Sequence, residues 1–211
     1  MDGQTSIARD AFFRILARTL PGPDRFPFAM LPWTPRVHLA LFVHRVNGLT
    51  PGLYMLVRDA AQIDALAAAF KPDFDWMPVA PDGCPPDLPL YRLVAGDVRA
   101  IATRISCGQD IAADGCFSLG MLAEFERPLN EQGAWIYPRL FWECGMIGQV
   151  LYLEAEAAGL RGTGIGCFFD DGMHSLLGLK DRRYQSLYHF TVGGPLEDER
   201  LTTLPAYGVE G

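Results

Sequence analysis

Apolar positions crowd most densely between Leu140 and Asp171, in the stretch LFWECGMIGQVLYLEAEAAGLRGTGIGCFFDD. Leu140, Cys144, Ile147, Leu151, Ala155 and Ala158 recur at the i, i+3, i+4 spacing of one helix face. Trp142, Met146, Val150, Leu153, Ala157 and Leu160 fill a second stripe beside it. A helix apolar over so much of its girth is expected inside a domain, so Leu140–Leu160 is predicted to be the most buried helix. Gly159 is its expected stop. Gly162, Gly164 and Gly166 then predict a loop whose backbone N–H groups are uncovered by side chains, open to a flat or anionic ligand.

Elsewhere the pattern changes period. Ile7–Thr19 reads as a helix capped by Ser6, with Ala8, Phe12, Ile15, Leu16 and Thr19 on one face and Pro21-Gly22 ending it. Pro21–Pro35 reads as an ordered loop packing Phe26, Phe28, Met30 and Trp33. Val37–Val46 alternates and is rich in β formers. With Asn47-Gly48, Pro51-Gly52 and Leu53–Arg58 it predicts a hairpin. Ala61–Phe70 predicts a short helix and Leu90–Ala95 a strand. Asp97–Ala112 is helix, or strand plus helix, interrupted at Ser106-Cys107-Gly108. Phe117–Arg127 fits either type. Asp170 or Asp171 is expected to cap a short helix ended by Gly178, and Ser186–Val192 to form an inner strand stopped at Gly193-Gly194-Pro195.

Composition narrows the function classes. A net charge of -7 with no run of Lys and Arg argues against nucleic-acid binding. The longest apolar runs are too short to span a bilayer, so no membrane association is expected. The 211 residues suit a single globular domain. Five cysteines without CxxC spacing read as reduced thiols of a cytoplasmic protein. Cys107 and Cys116 lack a His–Asp pattern that would make either a nucleophile. His38 and His44 lie six apart without a third ligand, so no metal site is expected. His189 reads as a core or groove residue. Gly162-Thr163-Gly164-Ile165-Gly166 follows a helix, unlike a dinucleotide fingerprint.

The run GQVLYLEAEAAGLRGTGIGCFFDDGMHSLLGL, then LYHFTVGGP and DERLTTLPAY, resembles the C-terminal half of the nitroreductase superfamily. More closely, it is similar to the SagB-type (ThcOx) dehydrogenases and their tandem-domain relatives. VHLALFVHRVNGLTPGLYMLVRD resembles that family's strand–turn–strand, so the likeness covers about residues 37–58 and 137–207. It implies an α+β fold, with a mixed, largely antiparallel central sheet flanked by helices. It also implies a homodimer around the long helix, with FMN at the subunit interface.

Carried over, Gly164, Ile165, Gly166 and Cys167 would line the flavin ring, and Arg200 would hold the phosphate. The implied activity is hydride transfer through flavin N5, with NAD(P)H as a possible electron donor and a small molecule or peptide as substrate. Azoline heterocycles, nitroaromatics and quinones all remain open, and no catalytic residue is assigned. Two features depart from the family. The chain starts where its Arg-Arg-Ser segment would just have ended, and Met30–Pro35 stands in place of a Pro-Ser-Gly-Gly type loop. The alternative is therefore a nitroreductase-like domain with weak or no FMN binding, acting as a structural or peptide-binding partner. A natural fragment, or half of a tandem protein, would carry the same departures.

Overall fold

The computed structural model describes residues 1–79, 84–197, 200–202, 204 and 207. Its centre is a sheet of seven strands: β1 (Val37–Val43), β2 (Gly52–Leu56), β3 (Met77–Pro78), β4 (Leu90–Ala95), β5 (Phe117–Glu124), β6 (Arg161–Ile165) and β7 (Tyr184–Gly193). They lie in the order β3-β4-β2-β1-β5-β7-β6. The strand pairs are antiparallel, and an isolated bridge from Ile7 to Val46 is parallel. β1 and β5 are buried along their whole length, because helices cover both faces of the sheet. Such strands read as continuous apolar runs, which is why Phe117–Arg127 resisted assignment from its period.

The helices are α1 (Arg9–Arg18), α2 (Ile63–Ala69), α3 (Arg99–Ile105), α4 (Ile111–Asp114), α5 (Glu126–Gln132), α6 (Ile136–Ala157) and α7 (Asp170–Leu177). Leu39, Leu41 and Val43 of β1 face a cluster with Phe12 and Leu16 of α1 and Ile147 and Leu151 of α6. Ala40 and Phe42 face the opposite cluster, with Leu66 of α2, Ala102 of α3 and Met173 of α7. The result is an α+β architecture with an antiparallel sheet between two helical layers.

Several predicted elements shift. α1 begins at Arg9 with Ala8 at its N-cap position, and Ser6 is exposed and does not cap it. The segment before it is drawn into strand-like pairing instead: Ile7 N–H donates to Arg45 O, and Asn47 N–H to Ile7 O. In the Pro21–Pro35 segment Phe28 is buried, but Phe26 and Met30 are exposed. Val37–Val43 ends before His44, so the two histidines do not share a strand. Phe117–Glu124 is a strand and Glu126–Gln132 a helix.

α6 starts at Ile136 and ends at Ala157, with Ala158 as C-cap. Gly159 follows at φ +72°. Leu160 N–H donates to Ala155 O, and Gly159 N–H to Glu156 O, closing a Schellman turn that satisfies two terminal carbonyls. The first apolar stripe is buried as predicted, except that Ala158 is half-buried. The second is divided: Val150 and Leu160 are buried, whereas Trp142 and Leu153 are 57% and 61% exposed. In the single chain, therefore, α6 is a core helix on one side only.

Glu143 fixes where α6 sits. It is completely buried, and its carboxylate accepts hydrogen bonds from Arg36 N–H (2.8 Å) and Val37 N–H (3.2 Å) and pairs with the buried Arg58 guanidinium. Arg58 also donates to Thr19 O at 2.7 Å and Val37 O at 2.6 Å. Removing one member of such a pair leaves a buried charge alone. Glu143→Ala is expected to lower stability by about 3–5 kcal/mol in urea denaturation. Glu143→Leu combined with Arg58→Met should cost less, because neither charge is then stranded; a double variant worse than the single would contradict this account.

Candidate functional site

The predicted glycine loop is the edge strand β6, and its glycines serve packing first. A Cβ at Gly162 would lie 2.8 Å from the Phe190 ring, and one at Gly164 would overlap the Tyr188 hydroxyl. Tyr152 of α6 meets Phe190 edge-to-face at 4.8 Å, and its hydroxyl accepts a hydrogen bond from Gly164 N–H at 3.0 Å. Gly164 is therefore not the uncovered amide expected from the sequence.

Gly166 is different. Nothing lies within 4 Å of where its Cβ would be, and both Gly166 and Cys167 are exposed, above a buried Ile165. The next side chain turns inward: Phe168 stacks on His189 of β7 with centroids 4.3 Å apart. His189 Nε2 lies 3.0 Å from Ser186 Oγ. Gly120 of β5 leaves room for that imidazole, since a Cβ there would approach Nε2 to 3.0 Å. Gln109 orients the peptide between Cys167 and Phe168, donating from Nε2 to Cys167 O at 2.9 Å and to Ser106 O at 2.8 Å.

Phe169 is exposed and lines a cleft of about 520 Å³ together with Lys71, Ile101, Arg104, Ile105, Asp171 and Ser175. Phe169, not Asp170 or Asp171, holds the N-cap position of α7. The two aspartates occupy the first turn, where their charge complements the helix dipole. Asp170 also accepts from Gln185 Nε2 at 3.0 Å. Gly178 ends α7 in the left-handed conformation, as predicted. Among the described residues no group of three His, Cys, Asp or Glu is gathered to hold a metal ion, and no helix is long and apolar enough to cross a membrane.

The model of the nitroreductase family matches residues 107–194, the span that carries Gln109, α6, β6, α7 and β7. A protein described as a nitroreductase from Anabaena variabilis superposes with a TM-score of 0.68 at 19% identity, covering 92% of this chain and 35% of that one. The microcin synthetase McbBCD complex of E. coli, with truncated pro-MccB17 bound, gives 0.63 at 14% identity, covering 92% of this chain and 66% of that one. A protein described as a nitroreductase from Ralstonia eutropha gives 0.54 at 15%, covering 93% and 81%. No curated protein sequence matches the chain. The fold is nitroreductase-like.

On this nitroreductase-like frame Gly164 and Ile165 close β6, and Gly166 and Cys167 continue from it toward α7. Arg200 is exposed in the tail beyond β7. The sequence did not single out Tyr152, Gln109 or the Phe168–His189 stack. Each acts through a partner distant along the chain, and only the glycine that makes room for a ring leaves a local mark.

The buried histidines give the nitroreductase-like core an acid sensitivity. Burial pushes His189 and His44 down to about 4 and His38 to about 3 from 6.5. Each is neutral in the folded chain at pH 5 but protonated once unfolded. The unfolded state therefore binds more protons, and stability falls as pH drops from about 6.5 toward 4. Each histidine contributes at most ~1.4 kcal/mol per pH unit in that window. Urea melts across it should show the decline, and His189→Gln should make it shallower; an unchanged slope would mean His189 stays charged when buried.

Proposed function

We propose that the chain is an FMN-dependent oxidoreductase of nitroreductase/SagB type, residues 1–211 forming one such domain. The observation that carries the reading is the open backbone of Gly166 and Cys167 directly after β6, the strand that follows α6. It suits a flat ring, because nothing lies within 4 Å of where a Cβ on Gly166 would stand. Bound FMN would supply N5 as the hydride acceptor, with NAD(P)H or an organic substrate as donor.

The chain's own residues position and polarise. Backbone N–H groups at Gly166 and Cys167 favour an acceptor atom on a ring whose negative charge grows on reduction. Gln109 holds the Cys167 peptide in orientation, and Phe168, turned toward His189, leaves the approach clear. Arg200 suits a phosphate because its planar fork is permanently charged. The cleft beside Phe169, with Lys71 and Arg104, offers room for a small anionic or aromatic substrate or a peptide side chain.

A second reading is a nitroreductase-like domain with weak or no FMN binding, serving a structural or peptide-binding role. It is favoured by the Gly164 amide, already committed to Tyr152, which leaves fewer donors for a ring. FMN titration by fluorescence quenching separates the two. Saturable binding is expected, weakened by about 1–3 kcal/mol in Arg200→Ala and obstructed in Gly166→Val. Equal affinities would remove Arg200 from the site, and no saturable binding to the unmodified chain would favour the second reading.

The assembly proposed is a homodimer around α6. Phe141, Trp142, Tyr152 and Leu153 are exposed on that helix, and so are Leu196, Leu201, Leu204 and Tyr207 in the tail. Apolar surface of this extent is what a two-fold interface covers. The unpaired cysteines support a cytoplasmic setting. Sedimentation at micromolar protein should give a dimer; a clean monomer would refute the assembly and leave an interfacial site half built.

A further inference from the structure

Two thiols meet beside the open backbone. Cys107 ends the turn after α3 in a left-handed conformation at φ +57°, followed by Gly108 at +75°. Such a reversal aims the residue back across the chain rather than along a helix. On the other side, Cys167 lies exposed between Gly166 and Phe168. The two segments are stitched together on both flanks of the pair. Phe169 N–H donates to Ile105 O at 2.7 Å, and Gln109 Nε2 donates to Cys167 O at 2.9 Å. Those bonds hold the turn that carries Cys107 against the segment that carries Cys167, and the two thiols lie near enough to interact, which with burial raises the pKa of Cys107.

The remaining cysteines are placed differently. Cys116 and Cys144 are buried, and burial raises Cys116 to about 11 and Cys144 further. Cys84 is half-buried, with its pKa raised by burial, in the segment before β4. They are internal controls within the same molecule.

We propose that Cys107 and Cys167 form an oxidisable dithiol, a modification site whose oxidant is a hydroperoxide. The exposed Cys167 sulfur attacks the peroxide oxygen as a thiolate. The O–O bond breaks, one molecule of water leaves after protonation, and Cys167 becomes a sulfenic acid. The Cys107 sulfur then attacks the Cys167 sulfur. The S–S bond forms as the S–O bond breaks, and the departing hydroxide takes the Cys107 proton as a second water. Two electrons pass from the thiols to the peroxide, so two thiols and one hydrogen peroxide give one disulfide and two waters.

The bond would have a defined mechanical effect. Ile105, two residues before Cys107, and Phe169, two after Cys167, both line the cleft. A disulfide between the two cysteines would join covalently the two segments that supply these lining residues. The proposal does not depend on flavin binding, since both thiols belong to the folded chain.

The test is non-reducing peptide mapping of the purified protein after exposure to a few equivalents of hydrogen peroxide at neutral pH. The expected result is a link between the Cys107 and Cys167 peptides within one chain. Two of the five thiols should be lost to titration and return with dithiothreitol. In Cys107→Ser no link can form, and Cys167 should proceed to sulfinic acid faster than in the unmodified chain. In Cys167→Ser, Cys107 should keep its thiol. The proposal is overturned if the unmodified chain carries Cys167 to sulfinic acid without the link, or if the disulfide joins two chains. The mapping of the unmodified protein decides the matter even should a variant fail to fold.

Discussion

Glu143 carries a charge into the fully buried interior, and the chain is arranged around meeting it. Its carboxylate draws two backbone N–H groups from the start of β1 and the guanidinium of Arg58 from just beyond β2. Through Arg58 it reaches the carbonyl of Thr19 at the end of α1. Three elements are thus referred to one point on α6. Uncompensated, that charge would be strongly destabilising there; its compensation depends on the placement of α6 that brings Arg36, Val37 and Arg58 to it. The position of β6 follows, since only a short Schellman turn separates it from α6. So does the placement of Gly166 and Cys167.

The sequence made the scaffold legible where local pattern and tertiary burial agree. Leu90–Ala95 and the hairpin of β1 and β2 came out as predicted, since β formers there are bounded by turn residues. Legibility failed where long-range pairing decides. Phe117–Glu124 has the Met and Ala content of a helix, but it is inserted between β1 and β7, whose hydrogen bonds no local propensity predicts. Gly162 and Gly164 looked like a loop by composition, yet Val192 and Phe190 impose a strand on them.

The candidate site was legible in outline and not in its mechanics. The three glycines after the long helix drew attention to the right segment. Their separate duties depend on Phe190, Tyr188 and Tyr152, and only Gly166 proves open. Cys107 and Cys167 are sixty residues apart in sequence, so nothing short of the fold could bring the segments that carry them side by side. The apolar surplus of α6 was visible at once, but not which of its stripes faces the sheet. That is decided by Glu143, a polar residue in an apolar pattern.

The two margins of the sheet bear on how this chain keeps its strands to itself. At one margin β3 is two residues long and contains Pro78, which has no N–H to offer. At the other, β6 is sparse in side chains, the sort of flat ribbon that invites a foreign strand. There the Tyr152 hydroxyl already occupies the Gly164 N–H, and Arg161 at the strand's start brings a charge paired to Glu156. A chain pressing its own strand against β6 must first displace the phenol and then tolerate the guanidinium. Amyloid-like growth by main-chain pairing is discouraged at both ends, and association is channelled to the side chains of α6, where geometry can limit it to a closed pair.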